Sequence, residues 1–128
     1  MQWCWSNHGG RQLDGTLSPL EVLESARSAT PSLDLFVDGG IRTGNDIVKA
    51  RALGADGVLI GRAALYGLAS GGEAGASRAI EILFEEARRC VGLLGDNALA
   101  GIGAHVLRSG FGFAPMAGPW ETADVMFI

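Results

Sequence analysis

A polar segment near the start of the chain holds the residues best suited to chemistry. Residues 6–12 are Ser-Asn-His-Gly-Gly-Arg-Gln. Histidine is the side chain whose ordinary pKa lies nearest neutrality, so His8 can take a proton from a substrate. Arg11 can hold a carboxylate through two parallel hydrogen bonds. Together they suit a carboxylic-acid substrate. The alternative is that His8 caps a turn and Arg11 is a solvated or ion-paired surface residue.

Two glycine- and arginine-containing segments follow short apolar runs further along the chain. Asp38-Gly39-Gly40-Ile41-Arg42 follows the first run, and Gly61-Arg62 follows the second. Backbone amides and a guanidinium at such positions can surround a phosphate. An ordinary tight turn with an exposed ion pair is the alternative for either segment alone. Their recurrence after consecutive strands favours a ligand.

The elements around these loops alternate between strand and helix. Residues 33–37, apolar apart from Asp34, and residues 57–60 predict buried strands of a parallel sheet. Ser18 followed by Pro19 predicts the start of a helix that ends before residues 30–32. Thr43 predicts a cap for a second helix over residues 44–53.

A third helical region follows the second strand. Residues 63–69 predict a short helix, which Gly71 and Gly72 separate from a longer helix that begins near residue 73 and ends at Gly95. The predicted buried face of the longer helix comprises Ile80, Leu83, Ala87, Val91 and Leu94. A further short helix is expected around residues 99–108.

Alternation of strands and helices predicts an α/β fold with a parallel sheet covered by helices. Periodicity alone leaves two architectures open, a segment of a barrel and an open doubly wound sheet. The chain has 128 residues, whereas a whole (β/α)8 barrel needs about 250. If the architecture is a barrel, the chain is therefore predicted to form only part of it.

Composition narrows the class of protein. The chain is 48% hydrophobic and 19% charged, which favours a packed core, and its net charge of -4 without a basic run gives no sign of nucleic-acid binding. No apolar stretch reaches the length of about 20 residues that spans a membrane. Cys4 and Cys90 are far apart and indicate neither a zinc site nor a disulfide framework. A cytoplasmic protein without a metal ion is expected.

Three motifs in order carry a resemblance to a known family. They are residues 6–12, residues 38–42 and the segment Leu-Gly-Ala-Asp-Gly-Val-Leu-Ile-Gly-Arg at 53–62. From Ser6 to about residue 97 the chain resembles the FMN-dependent α-hydroxy-acid dehydrogenases and oxidases, which include glycolate oxidase, lactate dehydrogenases and mandelate dehydrogenase. The resemblance implies the C-terminal part, about three βα units, of a (β/α)8 TIM barrel over residues 1–97, with a tail of uncertain structure over 98–128.

The resemblance also implies an activity and a set of site residues. The activity is FMN-dependent oxidation of a small 2-hydroxy acid to the 2-oxo acid, with His8 as the catalytic base and Arg11 as the ligand of the substrate carboxylate. The residues that would hold FMN, chiefly at its phosphate, are Asp38, Gly39, Gly40, Arg42, Gly61 and Arg62.

The chain also departs from the family. Its members use active-site tyrosines, an aspartate that orients the histidine and a lysine beside the flavin, all from earlier in the chain. No residue here matches them, and Lys49 lies in the predicted second helix. Three readings stay open: an enzyme fragment that needs the rest of the barrel, an inactive FMN- or phosphate-binding remnant, and an open sheet that self-associates into a homo-oligomer.

Residues 1–5 stand where the family has an apolar strand. Their sequence, Met-Gln-Trp-Cys-Trp, is a poor barrel strand. Reading the corresponding codons one base out of phase can give Asp-Ala-Val-Val-Leu directly before Ser6. We therefore hypothesise that a one-base frameshift separates this segment from its original frame.

Overall fold

A computed structural model describes residues 1–11 and 15–108 of the chain. Its sheet is parallel, with strands in the order β1 (Gln2–Ser6), β2 (Asp34–Asp38) and β3 (Gly57–Leu59). The helices between and after the strands are α1 (Pro19–Ala29), α2 (Gly44–Ala52) and α3 (Arg62–Leu93). The predicted alternation of strands and helices in a parallel sheet is confirmed. The part of the predicted tail from residue 109 onward lies outside the described residues.

The register of the strands brings the ends of all three to one edge. Ser6 lies opposite Asp38 in the pairing of β1 with β2, and Asp38 lies opposite Leu59 in the pairing of β2 with β3. Because the strands are parallel, the loops that follow them leave the sheet on the same side. The three candidate loops of the sequence therefore meet at the carboxyl edge.

The central strand, β2, supplies the core of the sheet. Leu35 and Val37 have no exposed surface and pack with helical residues such as Leu23. The prediction that the strand after Asp56 is equally buried was wrong, because Leu59 is 43% exposed. Within the described residues β3 pairs only with β2, so one side of it stays open.

Residues 2–6 form a strand in spite of their side chains. β1 pairs with β2 along its whole length, and main-chain pairing of this kind does not depend on side-chain polarity. The expectation of a poor strand was therefore wrong for the backbone. The side chains are nevertheless poorly buried, as expected, since Trp3 and Trp5 are 46% and 37% exposed. The two rings contact each other, with centroids 6.3 Å apart.

The starts of α1 and α2 follow the predicted capping residues. At α1, the Glu21 carboxylate accepts a hydrogen bond from the Ser18 N–H at 2.5 Å. At α2, the Thr43 hydroxyl accepts from the Asp46 N–H at 3.3 Å, and the Asp46 carboxylate accepts from the Thr43 N–H at 2.9 Å. Such reciprocal bonds satisfy amides that have no partner inside the helix.

The long helix α3 is interrupted where the sequence predicted a break. Gly71 and Gly72 leave helical geometry, with φ of -152° and 61° respectively. Beyond them, Leu83, Ala87 and Val91 are buried as predicted, whereas Ile80 and Leu94 are 36% and 43% exposed and were wrongly placed on the buried face.

The length of α2 explains this difference. α3 packs against α2, which has nine residues. Nine helical residues span about 13 Å, whereas Leu83 to Val91 already spans about 12 Å. α2 therefore covers only the part of α3 between Leu83 and Val91. The helical period of the α3 sequence does not reveal how far α2 extends.

Residues 99–108 do not form the expected short helix. They contain two 3-10 turns, Leu99–Gly101 and Ala104–Val106, separated by an extended Ile102 that is only 3% exposed. Ile102 belongs to the same core as the sheet residues. The proposed boundary at residue 97 stays a prediction.

A polar cluster holds the opposite edge of the sheet, where β2 and β3 begin. The Arg27 guanidinium donates to the carbonyls of Gly54 and Leu33 at 2.7–2.9 Å and to the Asp56 carboxylate. The Asp56 carboxylate also accepts from the Leu35 N–H at 2.9 Å. That backbone hydrogen bond, followed by the nearby Arg27, lowers the pKa of Asp56 although partial burial opposes the shift.

Candidate functional site

A cleft of about 300 Å³ opens at the carboxyl edge of the sheet. Polar, cationic and glycine residues from all three loops line it, together with apolar side chains from β3 and α3 such as Leu59 and Leu65. Every candidate site residue of the sequence lies on this cleft: His8, Arg11, Asp38, Gly39, Gly40, Arg42, Gly61 and Arg62. Residues as far apart in the sequence as His8 and Arg62 are thus brought into one site.

The His8 loop has a tightly bonded backbone. The Ser6 hydroxyl oxygen accepts from the His8 N–H at 3.0 Å, and the Asn7 side-chain oxygen accepts from the Gly9 N–H at 3.0 Å. The Gly10 N–H donates to the Asn7 carbonyl at 2.9 Å. These bonds hold His8 at φ 51°, the left-handed region that costs most residues about 1–3 kcal/mol. The surrounding loop therefore fixes the backbone from which the imidazole projects.

A side-chain hydrogen bond ties this loop to the next strand. The Ser6 hydroxyl donates to the Asp38 carboxylate at 2.5 Å. Because the same hydroxyl oxygen accepts from the His8 backbone, Ser6 connects the histidine segment with the end of β2. Sequence reasoning gave Ser6 no role, since the contact depends on the strand register that sets Ser6 opposite Asp38.

Glycine is required where the first two loops touch. Gly39 has φ 109°, and a Cβ at this position would lie 2.8 Å from the Asn7 side-chain oxygen. Gly40 also has a positive φ, 81°. A Cβ at Gly9 would lie 3.5 Å from the Arg62 guanidinium, so the third loop approaches the first as well. Gly39 thus permits the close approach of the first two loops, whereas Gly9 and Gly40 supply the positive φ angles of their turns.

The cleft carries positive charge. Arg11, Arg42 and Arg62 line it, and among residues 1–11 and 15–108 no carboxylate lies within 4.0 Å of their guanidinium groups. All three residues are exposed. Guanidinium groups that lack an acidic partner are suited to a ligand that brings its own negative charge.

The two helices that begin at the cleft differ in how their N-termini are satisfied. The first amide of α2, at Gly44, donates to the Glu86 carboxylate at 2.8 Å, and Asp46 lies in the same first turn. α3 has neither a side-chain cap nor an acidic residue in its first turn. A helix N-terminus attracts anions through its free amides and its dipole. The end of α3, beside Arg62, is therefore the one open to an anion.

The surroundings of Asp46 lower the pKa of its carboxyl group. Burial opposes ionisation, but hydrogen bonds from the Arg42 N–H at 3.1 Å and from the N–H and hydroxyl of Thr43, each at 2.9 Å, lower its pKa. The carboxylate thereby fixes the backbone next to Arg42. Sequence reasoning missed this function of Asp46 and the contact of Glu86, which lies 42 residues from Gly44.

A smaller cavity of about 220 Å³ adjoins the site. Arg42, Arg62, Ala63 and Tyr66 line it, so the two arginines face both spaces. Tyr66 is 70% exposed. The sequence gave no reason to single out Tyr66, because a tyrosine in a predicted helix carries no signal of its own.

Comparison with known proteins identifies the group to which this arrangement belongs. Residues 4–109 match the family described as FMN-dependent dehydrogenase. The chain belongs to the FMN-dependent dehydrogenase family. Its relatives in this family include an L-lactate dehydrogenase of Serratia proteamaculans, 46% identical over 106 residues, and a 4-hydroxymandelate oxidase of Amycolatopsis orientalis, 47% identical over 91 residues.

These alignments cover most of the present chain but only a minor part of each relative. They include 82% of the chain and 28% of the Serratia protein, and 70% of the chain and 26% of the Amycolatopsis protein. The chain therefore spans a little over a quarter of the length of the relatives it matches.

Solved structures of the FMN-dependent dehydrogenase family have the same fold. An active chimera of (S)-mandelate dehydrogenase superimposes with a TM-score of 0.82 and 41% identity, covering 85% of this chain and 31% of that one. A mandelate oxidase superimposes with a TM-score of 0.73 and 43% identity, over 77% and 30% of the two chains. The predicted fold, part of a TIM barrel, is confirmed.

One of the solved relatives is described as a monotopic membrane protein, an (S)-mandelate dehydrogenase. Among the described residues of the present chain, no helix has the length and apolar character needed to cross a bilayer.

Proposed function

We propose that this chain binds FMN and forms part of a site that oxidises a small 2-hydroxy acid to the 2-oxo acid. The observation that carries the proposal is the convergence on a single cleft of His8 and three guanidinium groups that have no acidic partner among residues 1–11 and 15–108. The family membership of residues 4–109 supports the same chemistry.

The residues at the second and third loops fit the phosphate of FMN. Arg42 and Arg62 supply positive charge, Gly39 and Gly40 leave the backbone accessible, and α3 presents uncapped amides after Gly61. Asp38 is an acceptor and would repel a phosphate, so its carboxylate suits the hydroxyl groups of the flavin's ribityl chain. FMN, when bound, supplies the acceptor for two electrons.

The first loop fits the substrate. Arg11 would clamp the carboxylate of the 2-hydroxy acid, which orients the adjacent carbon towards His8. The His8 imidazole nitrogen would accept one of the two protons that the 2-hydroxy acid loses on oxidation, and the other would pass to the flavin together with the two electrons. The fixed backbone of His8, bonded through Ser6 to Asp38, keeps this base in place.

We further propose that turnover needs the rest of the barrel. The chain covers 28% of the Serratia L-lactate dehydrogenase, and it has no counterparts of the tyrosines, the histidine-orienting aspartate and the flavin lysine that the resemblance implies. A polypeptide that supplies the preceding strands would complete the sheet beyond β1 and bring those groups. A cytoplasmic location, a homo-oligomer and the absence of nucleic-acid partners remain predictions for fractionation, light scattering and binding assays.

FMN binding is tested by titration of the full chain with FMN and with riboflavin, which lacks the phosphate. We expect FMN to bind more tightly, and R42Q and R62Q each to weaken FMN about tenfold, as a lost charge-assisted hydrogen bond does. Riboflavin affinity should not change. R88Q, at an exposed position on α3, is the matched control. Equal affinity of the unaltered chain for the two flavins would contradict the proposal.

Oxidation is tested by co-expression with the complementary part of the Serratia L-lactate dehydrogenase. Flavin bleaching under anaerobic conditions would then be followed with lactate, glycolate and mandelate. We expect reduction that H8A abolishes and that H105A, at the other histidine, leaves intact. FMN binding without bleaching by any 2-hydroxy acid would instead favour the binding remnant.

A further inference from the structure

We infer that Glu86 is a positioning residue for the loop that holds the FMN phosphate, an inference that rests on the proposed function. Glu86 lies on α3, outside the three motifs and outside the cleft lining. It would act on the ligand only through the backbone of residues 39–44.

Glu86 fixes the first residue of α2 onto α3. Its carboxylate accepts from the Gly44 N–H at 2.8 Å, across 42 residues of sequence, and Glu86 is half-buried. The two backbones leave no room for a side chain at Gly44, since a Cβ there would lie 2.1 Å from the Ala87 nitrogen. Gly44 therefore has a fixed position relative to the segment of α3 that follows Gly72.

Hydrogen bonds in the first turn of α2 extend this constraint from Gly44 to the backbone of Arg42. The Asp46 carboxylate in the first turn of α2 accepts from the N–H groups of Arg42 and Thr43 at 3.1 and 2.9 Å. Ile41, on the other side of Arg42, is 5% exposed and anchored in the core. The backbone of Arg42 is thus held on both sides, while its guanidinium has no ion-pair partner within the described part of the chain.

The charge of Glu86 has the opposite effect on an anion. A carboxylate at the end of α2 offsets the positive end of that helix dipole and so weakens phosphate binding there. Positioning depends on the hydrogen bond, whereas repulsion depends on the charge. Glu86→Gln keeps an acceptor oxygen and removes the charge, and Glu86→Ala removes both.

The experiment measures the preference of the full chain for FMN over riboflavin in these variants. We expect E86A to reduce the preference about fivefold, the effect of one net hydrogen bond, and E86Q, which keeps the acceptor and loses the repulsion, to retain or raise it. Glu85→Ala is the matched control, because the neighbouring Glu85 binds only the exposed Arg78 within the described residues. Hydrogen exchange should show faster exchange of the amides of residues 42–44 in E86A and unchanged exchange in E85A.

The outcomes separate this inference from the function on which it rests. Equal losses for FMN and riboflavin in E86A would mean a purely structural role and would overturn the inference. An unchanged FMN preference in E86A would overturn it as well. If the unaltered chain shows no preference for FMN, the proposed function itself fails and the inference fails with it.

Discussion

Replacing Gly44 with alanine tests the contact between α2 and α3. A Cβ at Gly44 would lie 2.1 Å from the Ala87 nitrogen and 2.4 Å from the Glu86 Cβ, so the helices would have to separate by more than an ångström. Overpacking of this kind costs about 1–3 kcal/mol, and loss of the Glu86 hydrogen bond adds about 1 kcal/mol. The gain in helix propensity at a first-turn position is at most about 1 kcal/mol. We expect a net destabilisation of about 2–3 kcal/mol.

The matched control is the same substitution at Gly92, also in a helix, where a Cβ would meet nothing within 4 Å. G92A should stabilise the chain by about 0.5 kcal/mol through helix propensity alone. Urea and thermal unfolding followed by circular dichroism measure both variants. G44A should lower Tm by about 10 °C or more. If G44A is as stable as G92A, the close approach of α2 and α3 is refuted, and the anchoring of Gly44 by Glu86 is refuted with it.

Three other substitutions test separate parts of the molecule. Asp56→Ala should destabilise the chain by about 1 kcal/mol after allowance for solvent screening. Because folding lowers the pKa of Asp56 below its ordinary 3.8, this stabilisation is complete at neutral pH and is lost as the pH falls through the folded pKa. The stability of the variant should therefore depend less on pH below about pH 5 than that of the unaltered chain. Gly39→Ala forces a left-handed residue against the Asn7 side chain and should weaken FMN binding about tenfold or more, whereas Gly15→Ala, where a Cβ meets nothing within 4 Å, should leave binding unchanged. Ile102→Ala should cost about 2–4 kcal/mol if residues beyond 97 share the core, and a cost near zero in urea unfolding would support a separate tail.

Local signals in the sequence were sufficient for much of the fold. Thr43 and Pro19 predicted where α2 and α1 begin because capping depends on residues within one turn. Gly71 and Gly72 predicted the interruption of α3, since glycine adopts the φ of 61° that the chain requires there. Apolar runs located β2 and β3 to within one residue at each end.

Features that depend on distant partners were beyond local signals. The exposure of Ile80 follows from the short length of α2, which no pattern within α3 reveals. β1 forms because β2 offers a free edge, although its own residues read as a poor strand.

The same distinction between local signals and distant contacts applies to the residues of the candidate site. His8, Arg11 and the glycine–arginine loops stand out by residue type and spacing, and the structure brings them together in one cleft. Ser6 and Glu86 carry no such signal, because each acquires its role from a hydrogen bond across 32 or 42 residues of sequence. Residues that orient a site are harder to find in a sequence than those that line it.

The separation of the cleft from the Arg27–Asp56 cluster has a consequence for how such a chain can change over time. The cleft occupies the ends of the strands, and the cluster fastens their beginnings. Mutations that alter ligand preference at the first edge leave the contacts at the second edge in place. Substitutions that change ligand specificity can therefore accumulate with little loss of stability. Substitutions at Arg27 or Asp56 would instead lower the free energy of unfolding, and fewer such changes would then be tolerated.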